Sequence, residues 1–192
     1  MYYVIVAICA LVMLFIMFEI NFYNKFQLLL IKIHESLNNI DILFEKKYNL
    51  LERSVNIIKE SDKKYKDIDV LNNLVKKKSQ KIDRFELNHE LTVALREYYS
   101  LLDLDKKLAE NGALKNINED LTDIDNDLNA AKKYYNDNIV LYNNLIRSIP
   151  SNLVAIIFNY KKKDFFKEEK IETLEILKEN HYELNPKSWT VY

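Results

Sequence analysis

Residues 118–149 read NEDLTDIDNDLNAAKKYYNDNIVLYNNLIRSI. Leu121, Ile124, Leu128, Ala131, Tyr135, Ile139, Tyr142, Ile146 and Ile149 follow one another at steps of three or four. That spacing places them on one stripe of an α-helix with a polar remainder, the pattern of a helix packed on one side. Glu119, Asp120 and Asp123 open the stretch and Arg147 lies near its end, charges that suit the helix macrodipole at both ends. Pro150 closes it, because proline lacks an amide N–H and cannot continue the ladder. Gly112 marks the break before it, the expectation being a left-handed glycine that stops the preceding helix.

The same pattern extends towards the N-terminus. No Gly or Pro occurs from residue 24 to 111, and Ile33, Leu37, Ile40, Phe44, Leu51, Val55 and Ile58 form a second stripe, with Tyr48 filling its gap. The expectation is one helix from about residue 3 to residue 61. The polar run SDKKYKDID at residues 61–69 reads as a connection. A second helix is expected over residues 70–104, with Leu71, Leu74, Ile82, Phe85, Leu91, Tyr98 and Leu102 on its stripe and a basic surface at Lys76, Lys77, Lys78 and Lys81. After Pro150, SNLVAIIFNYKKKDFF joins an apolar run to three lysines and two phenylalanines, and a last helix is expected over residues 167–180. Helices joined by short connections make an antiparallel bundle the expected arrangement.

Composition agrees. One glycine and two prolines in 192 residues are too few for the turns of sandwiches, barrels or doubly wound sheets. A single glycine also cannot build a phosphate-cradling loop. The 28 basic and 29 acidic side chains leave a net charge of −1, which argues against nucleic-acid binding. One cysteine excludes a disulfide framework and a multi-cysteine zinc site.

Those charges are unevenly spread. Residues 2–18, YYVIVAICALVMLFIMF, carry none. As a helix they span roughly 26 Å, close to the ~30 Å hydrocarbon core, and Ile20 and Phe22 lengthen the span. Tyr2, Tyr3, Phe22 and Tyr23 suit the interfacial aromatic belts. The reading is a single transmembrane helix contacting the bilayer through residues 2–22. A signal peptide would need a basic leader and a small-x-small site, and a lipoprotein Cys9 would need a small residue where Ile8 stands. Lys25, Lys32, Lys46 and Lys47 follow the segment and no basic side chain precedes it, so the N-terminus is expected outside and the bundle in the cytoplasm. The expected divisions are an anchor (1–23), a helical bundle (24–166) and a C-terminal helix and tail (167–192).

Motifs with chemistry come close and fail. His89-Glu90 begins H-E-x-x-H, but Val93 stands where the second ligand belongs. His34, His89 and His181 are far apart. Asp123, Asp125 and Asp127 imitate an EF-hand, yet Leu128 and Tyr134 replace its glycine and bidentate glutamate. No nucleophile elbow is present. The expectation is no catalytic residue, metal or cofactor. Among the 13 tyrosines, buried hydroxyls bonded to asparagines such as Asn136 or Asn143 would set helix register, while a ligand-binding role is the sharper alternative.

Two stretches resemble the LemA family of bacterial membrane-associated proteins. In residues 23–55, Tyr23-Asn24, Ile40-Asp41, Lys46-Lys47-Tyr48 and Leu50 fall at the offsets of that family's motif. In residues 130–158, Tyr135-Asn136, Ile139, Tyr142-Asn143, Ile146 and Pro150 match its repeated Y-N pairs before a proline. Glu52 replaces the family's usual proline, Lys46 and Lys47 its arginines, and Ile149 its phenylalanine, so the first helix is expected to run straight through residue 52. The resemblance implies a helical bundle tethered to the bacterial cytoplasmic membrane, with no agreed biochemical activity and, for some relatives, a link to membrane organisation. The functional expectation is a non-enzymatic scaffold or adaptor that docks partner proteins or lipid. The alternative is a membrane-tethered sensor with a ligand pocket between helices. A homo-oligomer is compatible with the stripes, which do not fix its state. Past Pro150, the segment Ile156, Ile157, Phe158 and Lys161 to Lys163 either meets anionic lipid or packs on the bundle as a short helix.

Overall fold

The computed structural model describes residues 1–61, 65 and 84–166, and every regular element among them is helical. In chain order these are α1 (Tyr2–Ser61), α2 (Arg84–Leu104), α3 (Lys106–Ala109), α4 (Gly112–Arg147) and α5 (Ser151–Ile157). The expected connection at 62–69 (apart from Tyr65), the start of the second helix with its lysines, and the helix at 167–180 lie outside the described residues.

α1 runs unbroken for 60 residues, about 90 Å at 1.5 Å per residue. It passes through Glu52 without interruption, as the absence of proline there predicts. α1 packs against α4 within each of the two units described below: Phe26 meets Tyr142 in one, and Lys47 meets Asp125 in the other. The all-α bundle expected from the periodicity is the fold observed.

The chain forms two compact units. The first combines Met1–Ile40 with Ala130–Phe166; the described part of the second is Asp41–Asn129. In the first, α1 buries Phe26, Leu29, Ile33, Ser36 and Ile40, and α4 buries Ala131, Tyr135, Ile139 and Tyr142. Ser36 takes a core place beside Leu37, the residue expected there; its hydroxyl is satisfied by donating to the Lys32 carbonyl at 2.6 Å. In the second unit α1 buries Leu43, Phe44, Tyr48, Leu51, Val55 and Ile58, α2 buries Leu91, Leu95, Tyr98 and Leu102, and α4 buries Leu114, Ile117, Leu121 and Leu128.

Helix ends explain where the sequence breaks. Asp105 caps α3 by accepting from the Lys107 amide at 3.0 Å. Asn111 caps α4 by accepting from the Ala113 and Leu114 amides at 2.9 and 3.3 Å. Gly112 is therefore the first residue of α4 and not a left-handed stop; its φ is not positive. The break comes from an asparagine that satisfies the orphan amides of a new helix. The left-handed residue is Asn159, at φ 52°. It ends α5 in a paired-bond motif, with its amide bonded to the Ile156 carbonyl and the Tyr160 amide to the Ala155 carbonyl. α4 itself stops at Arg147, so Ile149 falls beyond the helix and is exposed.

Tyr98 tests the second unit. Its buried hydroxyl donates to Asn118 Oδ1 at 2.6 Å. Burial, and then the neighbouring Tyr99, push this phenol far above its ordinary value near 10. Burial also raises Tyr48, with Glu52 adding to it. A raised folded-state pKa contributes stability that is complete below pH 10 and is lost as pH rises further. The Tyr98→Phe variant is expected to lose about 1–2 kcal/mol at neutral pH. It should also lose stability less steeply than the parent above pH 10, a difference readable in urea midpoints of the full chain in detergent.

Candidate functional site

The Y-N pairs of α4 recur at seven residues, Tyr135-Asn136 and Tyr142-Asn143. Seven residues are nearly two helical turns, so the two asparagines lie above one another on one face. They are about 10.5 Å apart along the axis. An extended chain covers about 10 Å in three residues, and residues 160–166 form an irregular strap of matching span beside α4. Asn143 Nδ2 donates to the Lys163 carbonyl at 2.8 Å, while its Oδ1 accepts from the Lys163 amide at 3.0 Å. Asn136 does the same for Phe166, at 3.1 and 2.8 Å. Each carboxamide thus presents the donor and acceptor that a neighbouring strand would offer. Asn136 and Asn143 bond to backbone groups of the strap and not to tyrosine hydroxyls, and the expected tyrosine–asparagine bond is made instead by Tyr98 and Asn118.

Aromatic rings fill the remaining space. The Tyr135 hydroxyl donates to the Asp164 carbonyl at 3.1 Å, and its ring meets Phe166 edge-on. The Lys132 ammonium lies 5.3 Å from the Phe166 ring centroid. Tyr160 packs on Phe26 of α1 at 4.7 Å and accepts from Gln27 Nε2 at 2.7 Å; Phe26 also meets Tyr142. Burial raises the Tyr142 phenol, with Tyr160 adding to it. Burial raises Tyr160 too, against the lowering effect of the Gln27 bond. Both phenols stay neutral near pH 7.

At the turn into α5, Pro150 follows a cis peptide bond. The Ser151 hydroxyl shares its proton between the carbonyls of Leu145 and Ser148 at 2.7 and 2.9 Å. It thereby satisfies the C-terminal end of α4.

Of the residues singled out in the sequence, Tyr23, Tyr135, Asn136, Tyr142 and Asn143 meet around the strap and its approach, Tyr23 through a ring contact of 4.7 Å with Phe158, and Pro150 precedes it. Asn24 is exposed. Asp41 and Tyr48 belong to the second unit, where Arg84 grips Asp41 with Nε and Nη2 at 2.6 and 2.7 Å. There the buried Lys47 bonds to Asp125 at 2.6 Å, so Asp125 serves a helix–helix ion pair. His34 and His89 are both exposed. The sequence gives no sign of the roles of Gln27, Tyr160 and Phe166, and it marks Lys47 by the family motif and the charge pattern without its core ion pair.

α1 carries, at its N-terminal end, a stretch long and apolar enough to cross a membrane, and none of it is buried within the chain. No curated protein and no solved structure matches the chain. Among protein families, the LemA family matches residues 36–176. That range takes in the α4 asparagine pairs, Pro150 and the strap, begins after Tyr23-Asn24 and extends past Phe166. Because it covers well over half of the residues, and the motif it matches is the one that clamps the strap, the chain belongs to the LemA family.

Proposed function

We propose that this protein is a non-enzymatic scaffold, anchored by one pass through the bacterial cytoplasmic membrane, that presents its helical units to partner proteins in the cytoplasm. The observation that carries this reading is the division of labour along α1. One uninterrupted helix has a fully exposed apolar stretch at one end and the buried stripe of folded units along the rest. Exposed apolar side chains from Val4 to Met17 would be costly in water and are favourable in hydrocarbon. The lysines that follow the stretch favour retention of the larger part in the cytoplasm.

Two measurements test it. In a Cys9→Ser background, Glu60→Cys is expected to resist an impermeant thiol reagent in intact cells and to react after lysis; labelling in intact cells would reverse the topology. Photo-crosslinking residues placed at the exposed positions Lys133 and Asp137 are expected to give discrete adducts with other membrane-associated proteins. A chain that crosslinks to nothing at either position in its native membrane is not a scaffold.

A further inference from the structure

α5 has two apolar faces. Val154 and Ala155 are buried in the first unit, whereas Leu153, Ile156 and Ile157 of α5, together with Ile149 in the turn before it, are exposed. Ile149 is 85% exposed, Ile156 73% and Ile157 63%. Soluble surfaces seldom group large aliphatic side chains in this way. The place of the group in the unit says what covers it. Phe158, the residue that ends α5, packs against Tyr23 with ring centroids 4.7 Å apart and the rings tilted by 47°. Tyr23 stands immediately after the apolar stretch of α1, at the level of the aromatic belt. α5 is only about 10 Å long, so all of it lies within about two helical turns of that level. Lys161 and Lys162 follow and are exposed, while Lys163 is turned back over the Tyr142 ring at 6.0 Å.

We infer that the outward face of α5 is a second membrane contact. Ile149, Leu153, Ile156 and Ile157 sit in the interfacial zone of the leaflet from which α1 emerges, and Lys161 and Lys162 rest on anionic lipid headgroups. An amphipathic segment flanked by basic residues and held beside a transmembrane helix is suited to that zone. Of the three lysines in the run, only the first two are placed to take part. The Schellman turn at Asn159 is what separates the two roles: it reverses the chain after Phe158, so the lysines follow the apolar face while residue 163 returns to Asn143. The inference rests on the membrane-anchored reading, and its test is arranged to separate the two.

The test uses the full chain with Cys9→Ser, one copy per nanodisc, in bilayers containing phosphatidylglycerol. Nitroxides are attached in turn at Leu14→Cys, Ile156→Cys and Lys133→Cys. The label at 14 reports on the anchor, the label at 156 on the inference, and the label at 133 on bulk water. The expected result is that labels at 14 and 156 are quenched by oxygen over a water-soluble nickel chelate by about tenfold more than the label at 133. Combining Lys161→Glu with Lys162→Glu should make position 156 several-fold more accessible to the chelate. A label at 156 that behaves like the one at 133 while the label at 14 stays protected overturns the inference and leaves the anchor standing. Loss of protection at 14 overturns the anchor itself. Protection of 156 only when two copies share a disc would mean that a second chain covers the face, and would also overturn the lipid assignment.

Discussion

The Asp125→Ala variant is expected to lose about 3–5 kcal/mol of stability, the largest effect of any single polar substitution in the second unit. Lys47 reaches Asp125 from a side chain only 6% exposed, and Asp125 is itself 17% exposed, with 2.6 Å between the charged atoms. Removing the carboxylate takes the acceptor away from an ammonium on an almost fully buried side chain. It must then stay charged without a partner, lose its proton, or pull the side chain out of the core. Each of these costs free energy. Removing both charges is a different matter. Lys47→Met combined with Asp125→Leu is expected to recover most of the loss, because two apolar side chains of similar volume need no partner. The control is Arg84→Met, which breaks an ion pair of equally short distance whose side chains are 42% and 41% exposed. It should change stability by no more than about 1 kcal/mol, since water already screens that pair. Urea titration of the full chain in detergent checks all three. A single Asp125→Ala effect no larger than that of Arg84→Met would show that the Lys47 pair is not a structural element of the core.

Loss of an α4 asparagine should release the strap locally. Asn143→Leu removes two bonds worth about 1 kcal/mol each, so about 2 kcal/mol of local stability. The Lys163 amide, which only Asn143 holds, is then expected to exchange its hydrogen about 30-fold faster, with a smaller change at Phe166. Asn136→Leu should reverse that order. Asn143→Asp gives a sharper test. The new carboxylate still accepts from the Lys163 amide but sets an anionic oxygen against the Lys163 carbonyl, where the amide nitrogen used to donate. Only the protonated carboxyl can donate there, so its pKa is raised in the folded state. Stability is then complete below the ordinary carboxyl value near 4 and is lost as pH rises through the raised value. Strap protection in Asn143→Asp should therefore return on acidification, while Asn143→Leu stays deprotected at every pH. Equal exchange at Lys163 in the parent and in both variants would mean that the clamp does not hold the strap.

How far the sequence anticipates these features depends on how local each one is. The absence of Gly and Pro between residues 24 and 111, and the stripe from Ile33 to Ile58, report a continuous α1 because both are properties of neighbouring residues. Ser36 in the core and the early end of α4 were not visible in the same way. Periodicity assigns a residue to a face without saying whether a neighbour covers it, and a serine bonded to its own helix is an acceptable core residue. Gly112 shows the opposite case, in which the break was read correctly and its cause was not. Asn111 does the capping, and the left-handed position at the end of α5 is taken by Asn159. Asparagine serves both purposes with its short polar side chain, so composition alone does not separate them.

The amino-acid sequence alone determined that the chain is helical, that α1 continues from an apolar stretch into a packed stripe, and that two Y-N pairs share a face of α4. Hydrogen bonding from residue i to i+4 and a period of 3.6 are local rules, so local spacing expresses them in full. Only the tertiary structure decided what the asparagines hold. Their partners are the amide and carbonyl of Lys163 and of Phe166, 20 and 30 residues away. Backbone groups are nearly the same chemistry at every position, so no side chain marks which pair will be taken. That choice is made when α4, α5 and the strap close around Phe26 and Tyr142 and bring one stretch of backbone within reach.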